Sequence, residues 1–185
     1  TIDYPMASIR FHKFAIEGMQ DIQKQTEKSK AFYFPYVEEK RGVADKLLIE
    51  LAKNAAVVIT DDYPTYFVPQ MTAEAKGSIQ TTYELVDSNG LLPIRIAEKE
   101  YVRAHDFRRF MHKNIEDFLV EVPEKDPLEY LNLKFDEKLL EPIFKKYELV
   151  DFNKVNTQDF LNNLNVDKSV EVSDVVGGYN AAKSR

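Results

Sequence analysis

Seven residues of this sequence could bind a flat aromatic heterocycle, because each lies at the carboxyl end of a predicted β-strand. These residues are Pro35, Tyr36, Asp61, Asp62, Tyr63, Asp87 and Asn89. In an open parallel α/β sheet, ligands bind in the crevice at such strand ends. The tyrosine rings would stack on the heterocycle, and the carboxylates and the amide would hydrogen-bond its polar edge. The pattern therefore predicts a binding rim.

The same residue types have a second, purely structural interpretation. Asp, Asn, Ser and Gly follow strands wherever a helix cap or a tight turn is needed, and the segment DSNG at residues 87–90 is a strong turn signal. Asp61 and Asp62 would suit Mg²⁺, which prefers carboxylate oxygens. No third ligand lies at a suitable spacing, so no metal site is predicted.

No catalytic residue is assigned. The three histidines, His12, His105 and His112, have no ligand spacing with one another, and each suits a helix surface. The sequence contains no P-loop, no dinucleotide-binding glycine motif and no serine-nucleophile motif. With no cysteine in the chain, disulfides, thiolate metal sites and cysteine nucleophiles are excluded.

One basic cluster occurs in a chain whose formal net charge is −6. Its members are Arg103, Arg108, Arg109 and Lys113. They could meet phosphate groups of DNA or of a cofactor, or an acidic surface of a neighbouring domain. The alternative is a solvated helix face whose cations pair with Glu116 and Asp117.

The composition is that of a globular protein with an aromatic core. Its 185 residues suit one domain, or one domain with a short partner piece, and they include twelve Phe and ten Tyr but no Trp. No apolar run approaches the roughly 20 residues that span a bilayer. We therefore expect a monomer without membrane contact, in the cytoplasm.

Helical and strand-like segments alternate through residue 86. Helical periodicity covers residues 8–28, 43–54 and 65–76, and strand-like runs cover residues 31–37, 55–60 and 79–86. The run AAVVIT at 55–60 is typical of a parallel strand covered on both faces. Strands joined through helices pair in parallel. The fold class predicted is α/β, a three-layer Rossmann-like parallel sheet with flanking helices, followed by a helical connector.

Three regions follow from this pattern. Residues 1–120 are predicted to form the α/β domain, residues 121–176 a helical or irregular linker, and residues 177–185 the start of a truncated helical domain. The chain begins at Thr1 without an initiator Met. We expect upstream sequence, including the opening strand of the sheet, to be missing.

Eight short segments occur in a characteristic order along the chain. They are DYPMAS (3–8), FHKF (11–14), EGM (17–19), PYVE (35–38), VITDDYP (58–64), FVP (67–69), VDSNGLLP (86–93) and FRRF (107–110). None is diagnostic singly, but the collinear set resembles the class II cyclobutane pyrimidine dimer DNA photolyases of the photolyase/cryptochrome superfamily. The likeness covers residues 2–109 and continues weakly over residues 177–185.

This resemblance implies a two-domain, light-driven DNA repair enzyme. In that family an N-terminal α/β domain can hold an antenna chromophore, often a deazaflavin, while a C-terminal helical domain holds FAD, binds UV-damaged DNA and flips the dimer out of the duplex. The FAD chemistry would belong to the absent helical domain, on which this chain would pack. The resemblance assigns no FAD ligand here, and the chain alone is expected to be inactive. It also implies that the protein could reside with DNA in the nucleoid or nucleus.

Two other interpretations stay open. The chain could belong to a photolyase-like protein that senses light or binds a partner without repairing DNA. It could also be an unrelated nucleotide-binding α/β protein that shares only the sheet.

Overall fold

The computed structural model describes residues 2, 4, 6–120, 122–132, 135–153 and 157–185. The chain forms two compact units: Thr1–Leu48 together with Asp126–Arg185, here called the first unit, and Ile49–Lys125, the second unit. The predicted domain limits at residues 120 and 176 stay a prediction. The predicted linker includes residues 121, 133, 134 and 154–156, which lie outside the described residues.

Helices predominate among the described elements. In chain order they are α1 (Ile9–Thr26), α2 (Leu47–Ala52), α3 (Val68–Ser78), α4 (Ala104–Asn114), α5 (Glu141–Phe144), α6 (Thr157–Asn163) and α7 (Tyr179–Lys183). The strands are β1 (Val57–Asp61) and β2 (Thr82–Val86), and short 3₁₀ helices cover Ile94–Ile96, Ile115–Phe118, Pro127–Tyr130 and Glu137–Leu140. None of the described helices is long and apolar enough to cross a membrane.

The second unit contains a parallel β-α-β arrangement. Strands β1 and β2 pair in parallel, with Val58 opposite Tyr83, and α3 connects them. The predicted parallel pairing is therefore confirmed for these two strands. The prediction that β1 is covered on both faces is wrong, because its residues alternate between exposed and partly buried and Ile59 is 59% exposed. Only one face of this strand is packed.

The third predicted strand, at residues 31–37, is not a strand in the structure. Pro35 lacks the N–H that a central ladder position needs, although its carbonyl accepts a hydrogen bond from the Val150 N–H at 2.9 Å. Aromatic packing holds the segment instead: the ring of Phe32 stacks on that of Phe135 at 4.5 Å between centroids. The described sheet thus has two strands, and a full three-layer sheet is not seen.

The first unit is built on α1, whose prediction over residues 8–28 is confirmed. Ser8 caps this helix, since its hydroxyl accepts a hydrogen bond from the Phe11 N–H at 3.5 Å. The core cluster comprises Ile9, Ile16, Val150, Phe152, Leu161 and Leu164. Phe11 and Phe14, which the periodicity places on an apolar face, are both more than half exposed.

The reason is that α1 carries apolar residues around much of its circumference. The segment that includes Leu161, in α6, packs on the side of Ile9 and Ile16 rather than on the side of the two phenylalanines. Periodicity identifies the helix but cannot choose between two apolar sides.

The Gly177-Gly178 pair joins α7 to α1. The Gly177 N–H donates to Glu17 Oε2 at 2.8 Å, and the Asn180 N–H donates to Asp21 Oδ2 at 2.8 Å. Gly178 has a φ of 104°, a left-handed conformation that favours glycine. Asp21 thereby caps the first turn of α7, and the hydrogen bond from the Asn180 N–H lowers the pKa of the Asp21 carboxyl.

Replacing Gly177 should destabilise this joint. A Cβ added there would lie 2.0 Å from the Phe14 carbonyl oxygen, a backbone atom that cannot move aside cheaply. We expect Gly177→Ala to lower the free energy of unfolding by about 2–3 kcal/mol, the usual cost of overpacking, as measured by urea denaturation followed by circular dichroism.

Gly77→Ala is the matched control. Nothing lies within 4 Å of a Cβ at Gly77, which is inside α3. This change should be neutral or stabilise by up to about 1 kcal/mol, the difference in helix propensity. Equal stability of the two variants would contradict the close approach at Gly177.

Candidate functional site

The carboxyl ends of β1 and β2 meet at one edge of the second unit, as parallel pairing requires. The Asp62 N–H donates to the Val86 carbonyl oxygen at 2.8 Å, which continues the ladder beyond the strands. Asn89 Nδ2 donates to the Asp62 carbonyl oxygen at 2.7 Å, and the Ser88 hydroxyl donates to Asp61 Oδ1. The turn after β2 is thus tied to the end of β1.

Asp87 is the centre of this turn. Its Oδ1 accepts hydrogen bonds from the side chain and the backbone N–H of Asn89, at 3.0 and 3.2 Å, and its Oδ2 accepts one from the Ile94 N–H at 2.6 Å. The Asn89 side chain, then the Ile94 N–H, lowers the pKa of the Asp87 carboxyl. The carboxylate therefore joins the start of the loop at residues 87–94 to its end.

Asp62 and Arg95 form an ion pair beside this loop. Arg95 Nε lies 2.6 Å from Asp62 Oδ2 and donates to it, and this contact raises the pKa of the guanidinium. The Arg95 side chain is 72% exposed, so solvent screens the pair and its contribution to stability is small. The pair directs Arg95 toward the strand edge.

The seven predicted rim residues divide between the two units. Asp61, Asp62, Tyr63, Asp87 and Asn89 lie in the second unit, and Pro35 and Tyr36 lie in the first unit. Of the five in the second unit, all except Tyr63, which is 44% exposed, take part in the hydrogen-bond network at the strand ends. The polar groups that the rim hypothesis assigns to a ligand therefore already form hydrogen bonds within the chain. Their role in binding a heterocycle stays a prediction.

No metal-binding group is built from these carboxylates. Within residues 6–120 and the other described parts of the chain, no three His, Cys, Asp or Glu side chains are arranged to hold a metal ion. Asp61 and Asp62 instead accept hydrogen bonds from Ser88 and Arg95.

An apolar cavity of about 370 Å³ lies next to this network in the second unit. Its walls are the loop after β2 and the inner face of α4, with lining residues Gly90, Leu91, Leu92, Pro93, Ile94, Ala97, Phe107, Met111 and Ile115. The N–H of Ile94 is the one that Asp87 holds. The polar network thus fixes one wall of the cavity.

The rim hypothesis did not include this cavity. The signal was present in the sequence, as the apolar run LLPI at residues 91–94 followed by the amphipathic helix at residues 104–114. The sequence does not show, however, that these two segments enclose a space. That depends on how the loop folds back after the turn.

Tyr36 borders a different cavity, of about 490 Å³, in the first unit. Its ring meets that of Tyr147 edge to face, with centroids 6.0 Å apart. Burial, and then the charge of Glu38, raises the pKa of the Tyr36 phenol. Two glutamates and two lysines are among the residues that line this cavity, namely Glu39, Glu148, Lys40 and Lys146.

Comparison with known proteins gives one informative similarity. No protein-family model matches the chain. The chain is 27% identical over 143 residues to the deoxyribodipyrimidine photo-lyase of Methanothermobacter thermautotrophicus, an alignment that covers 77% of this chain and 30% of that protein. The chain therefore spans less than a third of the length of this relative. The similarity supports the resemblance to photolyases at the level of the family name.

The Asp87 network predicts a pH dependence for the loop that walls the cavity. Because the pKa of Asp87 lies below its ordinary value of 3.8, the stabilisation is fully present above that value and is lost as pH falls through the lowered pKa of the folded state. Hydrogen exchange measured by NMR should show the Ile94 amide protected at neutral pH and released in acid.

Asp87→Ala should speed exchange of the Ile94 amide several-fold at neutral pH. Asp87→Asn should remove the acid-dependent step. Asp117→Asn, an exposed carboxylate on the 3₁₀ helix after α4, is the control and should change neither. Unaltered protection in Asp87→Ala would show that the loop does not depend on this carboxylate.

Proposed function

We propose that this chain is part of a light-dependent deoxyribodipyrimidine photo-lyase of class II, in which it forms the α/β domain of antenna type. The single observation that carries the proposal is the 143-residue similarity to the Methanothermobacter thermautotrophicus deoxyribodipyrimidine photo-lyase. The assignment to class II is supported by the order of the segments from DYPMAS to FRRF.

The parallel β-α-β arrangement of the second unit is consistent with this role. A flat ligand on such a unit binds beyond the carboxyl ends of the strands. This is where Asp61, Asp87 and the apolar cavity lie. The fold alone would suit many functions, so the sequence similarity carries the choice among them.

An antenna chromophore such as a deazaflavin fits the apolar cavity better than it fits the acidic rim. The carboxylates of Asp61, Asp62 and Asp87 already accept hydrogen bonds from within the chain. The cavity is free of such competition, and about 370 Å³ lies within the usual range of ligand pockets. Phe107 contributes an aromatic surface, and the hydrogen bond from Ile94 to Asp87 keeps the wall in place.

The repair chemistry itself belongs to the FAD of the parent protein. A reduced flavin bound by the parent protein would supply the electron that splits the dimer, and the protein would position flavin and substrate. Residues of this chain would shape the antenna cavity and pack on the FAD-binding domain. Since the chain contains no Trp, no tryptophan of this segment takes part in electron transfer.

Repair should require more than this chain. We expect the purified chain, supplied with reduced FAD and blue light, to leave thymine dimers in an oligonucleotide intact. The protein encoded by the full parent reading frame should convert the dimers back to thymines. Chromatography of the products measures the outcome. Repair by the chain alone would contradict the assignment of the repair chemistry to the FAD-binding domain. A parent protein that is inactive under the same light would favour the non-catalytic alternative.

The cavity assignment predicts where a deazaflavin binds. Wild-type chain should bind deazaflavin with a red-shifted absorbance, and Ala97→Trp, which places a large ring in the cavity, should abolish the shift. Ala73→Trp on the exposed side of α3 is the matched control and should bind normally. Normal binding by Ala97→Trp would exclude the cavity as the site.

A further inference from the structure

We propose that Asn89 is a site of spontaneous deamidation, with the backbone nitrogen of Gly90 as the nucleophile, and that the carboxylate formed there releases the loop that walls the apolar cavity. Asparagine is among the chemically labile residues. Neither the reaction nor its effect on the loop depends on which ligand the cavity holds.

Asn89 and Gly90 form the only Asn-Gly pair in the sequence. In deamidation the backbone nitrogen of the following residue attacks the side-chain amide carbon, so a bulky side chain on that residue hinders the approach. Glycine has no Cβ and gives the backbone its greatest freedom. At Gly90, nothing lies within 4 Å of the position that a Cβ would occupy. The pair therefore joins an amide to the least hindered nucleophile that a peptide chain offers.

Both reacting groups are accessible. Asn89 and Gly90 are exposed, and the Gly90 N–H donates no hydrogen bond to any residue that the structure describes. The nitrogen thus gives up no partner when it attacks. The hydrogen bonds from Asn89 Nδ2 lie at the exposed surface, so water can take their place while the side chain turns. They slow the reaction without preventing it.

The reaction needs only water as a co-reactant. The Gly90 nitrogen loses its proton to hydroxide and forms a bond to Asn89 Cγ, while the Cγ–Nδ2 bond breaks and the amide nitrogen leaves as ammonia. Water then opens the succinimide ring at either carbonyl. One product is aspartate, and the other is isoaspartate, in which the backbone continues through Cβ and Cγ.

Both products place a negative charge where the structure has a hydrogen-bond donor. Asn89 Nδ2 donates to the Asp62 carbonyl oxygen at 2.7 Å and to Asp87 Oδ1 at 3.0 Å. A carboxylate oxygen has no proton to donate, so it would face a carbonyl oxygen and a like charge. Isoaspartate also lengthens the backbone of this turn by one methylene group. The hydrogen bond from residue 89 to the end of β1 is therefore lost.

The change reaches the cavity through Asp87. Its Oδ2 accepts a hydrogen bond from the Ile94 N–H at 2.6 Å, and Ile94 lines the cavity. Repulsion between the new carboxylate and Asp87 favours a loop in which the two are apart, and this movement takes Asp87 away from the Ile94 N–H. Deamidation thus acts as an irreversible charge switch on one wall of the cavity.

The first experiment incubates the folded chain at mildly alkaline pH and follows each asparagine by peptide mass spectrometry. The peptide that contains Asn89 should gain the mass difference between aspartate and asparagine and separate into two species, aspartate and isoaspartate. Asn54, which is exposed in the same unit and precedes Ala55, is the internal control and should keep its amide many-fold longer.

Gly90→Ala tests the nucleophile. The Cβ has open space, and the φ of Gly90 lies outside the left-handed region, so the variant should fold normally. We expect deamidation of Asn89 to slow many-fold in this variant. Circular dichroism checks the fold. An Asn89 amide that persists as long as that of Asn54, or equal rates in wild type and Gly90→Ala, would overturn the proposed site.

Asn89→Asp reproduces one product and tests the effect on the loop. Hydrogen exchange of the Ile94 amide should be several-fold faster in this variant than in wild type at neutral pH, and wild-type chain that has deamidated should show the same increase. Asn54→Asp adds the same charge to an exposed position of the same unit and should leave this exchange unchanged. Wild-type exchange in Asn89→Asp, or an equal increase in Asn54→Asp, would overturn the proposed release of the loop.

Discussion

The parallel hydrogen bonding of β1 with β2 is the constraint on which the second unit depends. Because the strands run in the same direction, their carboxyl ends emerge side by side, and the Asp62 N–H extends the ladder to Val86 at 2.8 Å. Two loops that are distant in sequence therefore share one edge. An antiparallel pair would have placed Asp61 and Asp87 at opposite ends of the strands. Every candidate site in this unit follows from that arrangement.

Polar and apolar groups at this edge have different tasks. Asp87 satisfies backbone N–H groups that an exposed loop would otherwise leave to water, and in doing so it holds Ile94 against the cavity. The carboxylates are thus structural supports for an apolar wall. This explains how residue types that suggest ligand binding can be occupied within the chain while the adjacent space remains available.

Helix α4 connects the cavity with the outer surface. Phe107 and Met111 both line the cavity, although Phe107 stays 41% exposed, and these contacts set the rotation of the helix about its axis. At 100° per residue, Arg109 then lies opposite Phe107 and Met111, whereas Arg108 lies on the cavity side of the helix.

The sequence by itself determined the local elements and their order. The helical periodicity of α1 and α3, the β-branched run of β1 and the DSNG turn each act over a few residues, so their effects could be read directly. The tertiary structure alone decided three further features: which apolar side of α1 is buried, that residues 31–37 pack through their aromatic rings and do not join the sheet, and that the loop after β2 encloses a cavity with α4. These features depend on contacts between residues far apart in the chain, and a local pattern carries no information about which of several apolar surfaces will meet.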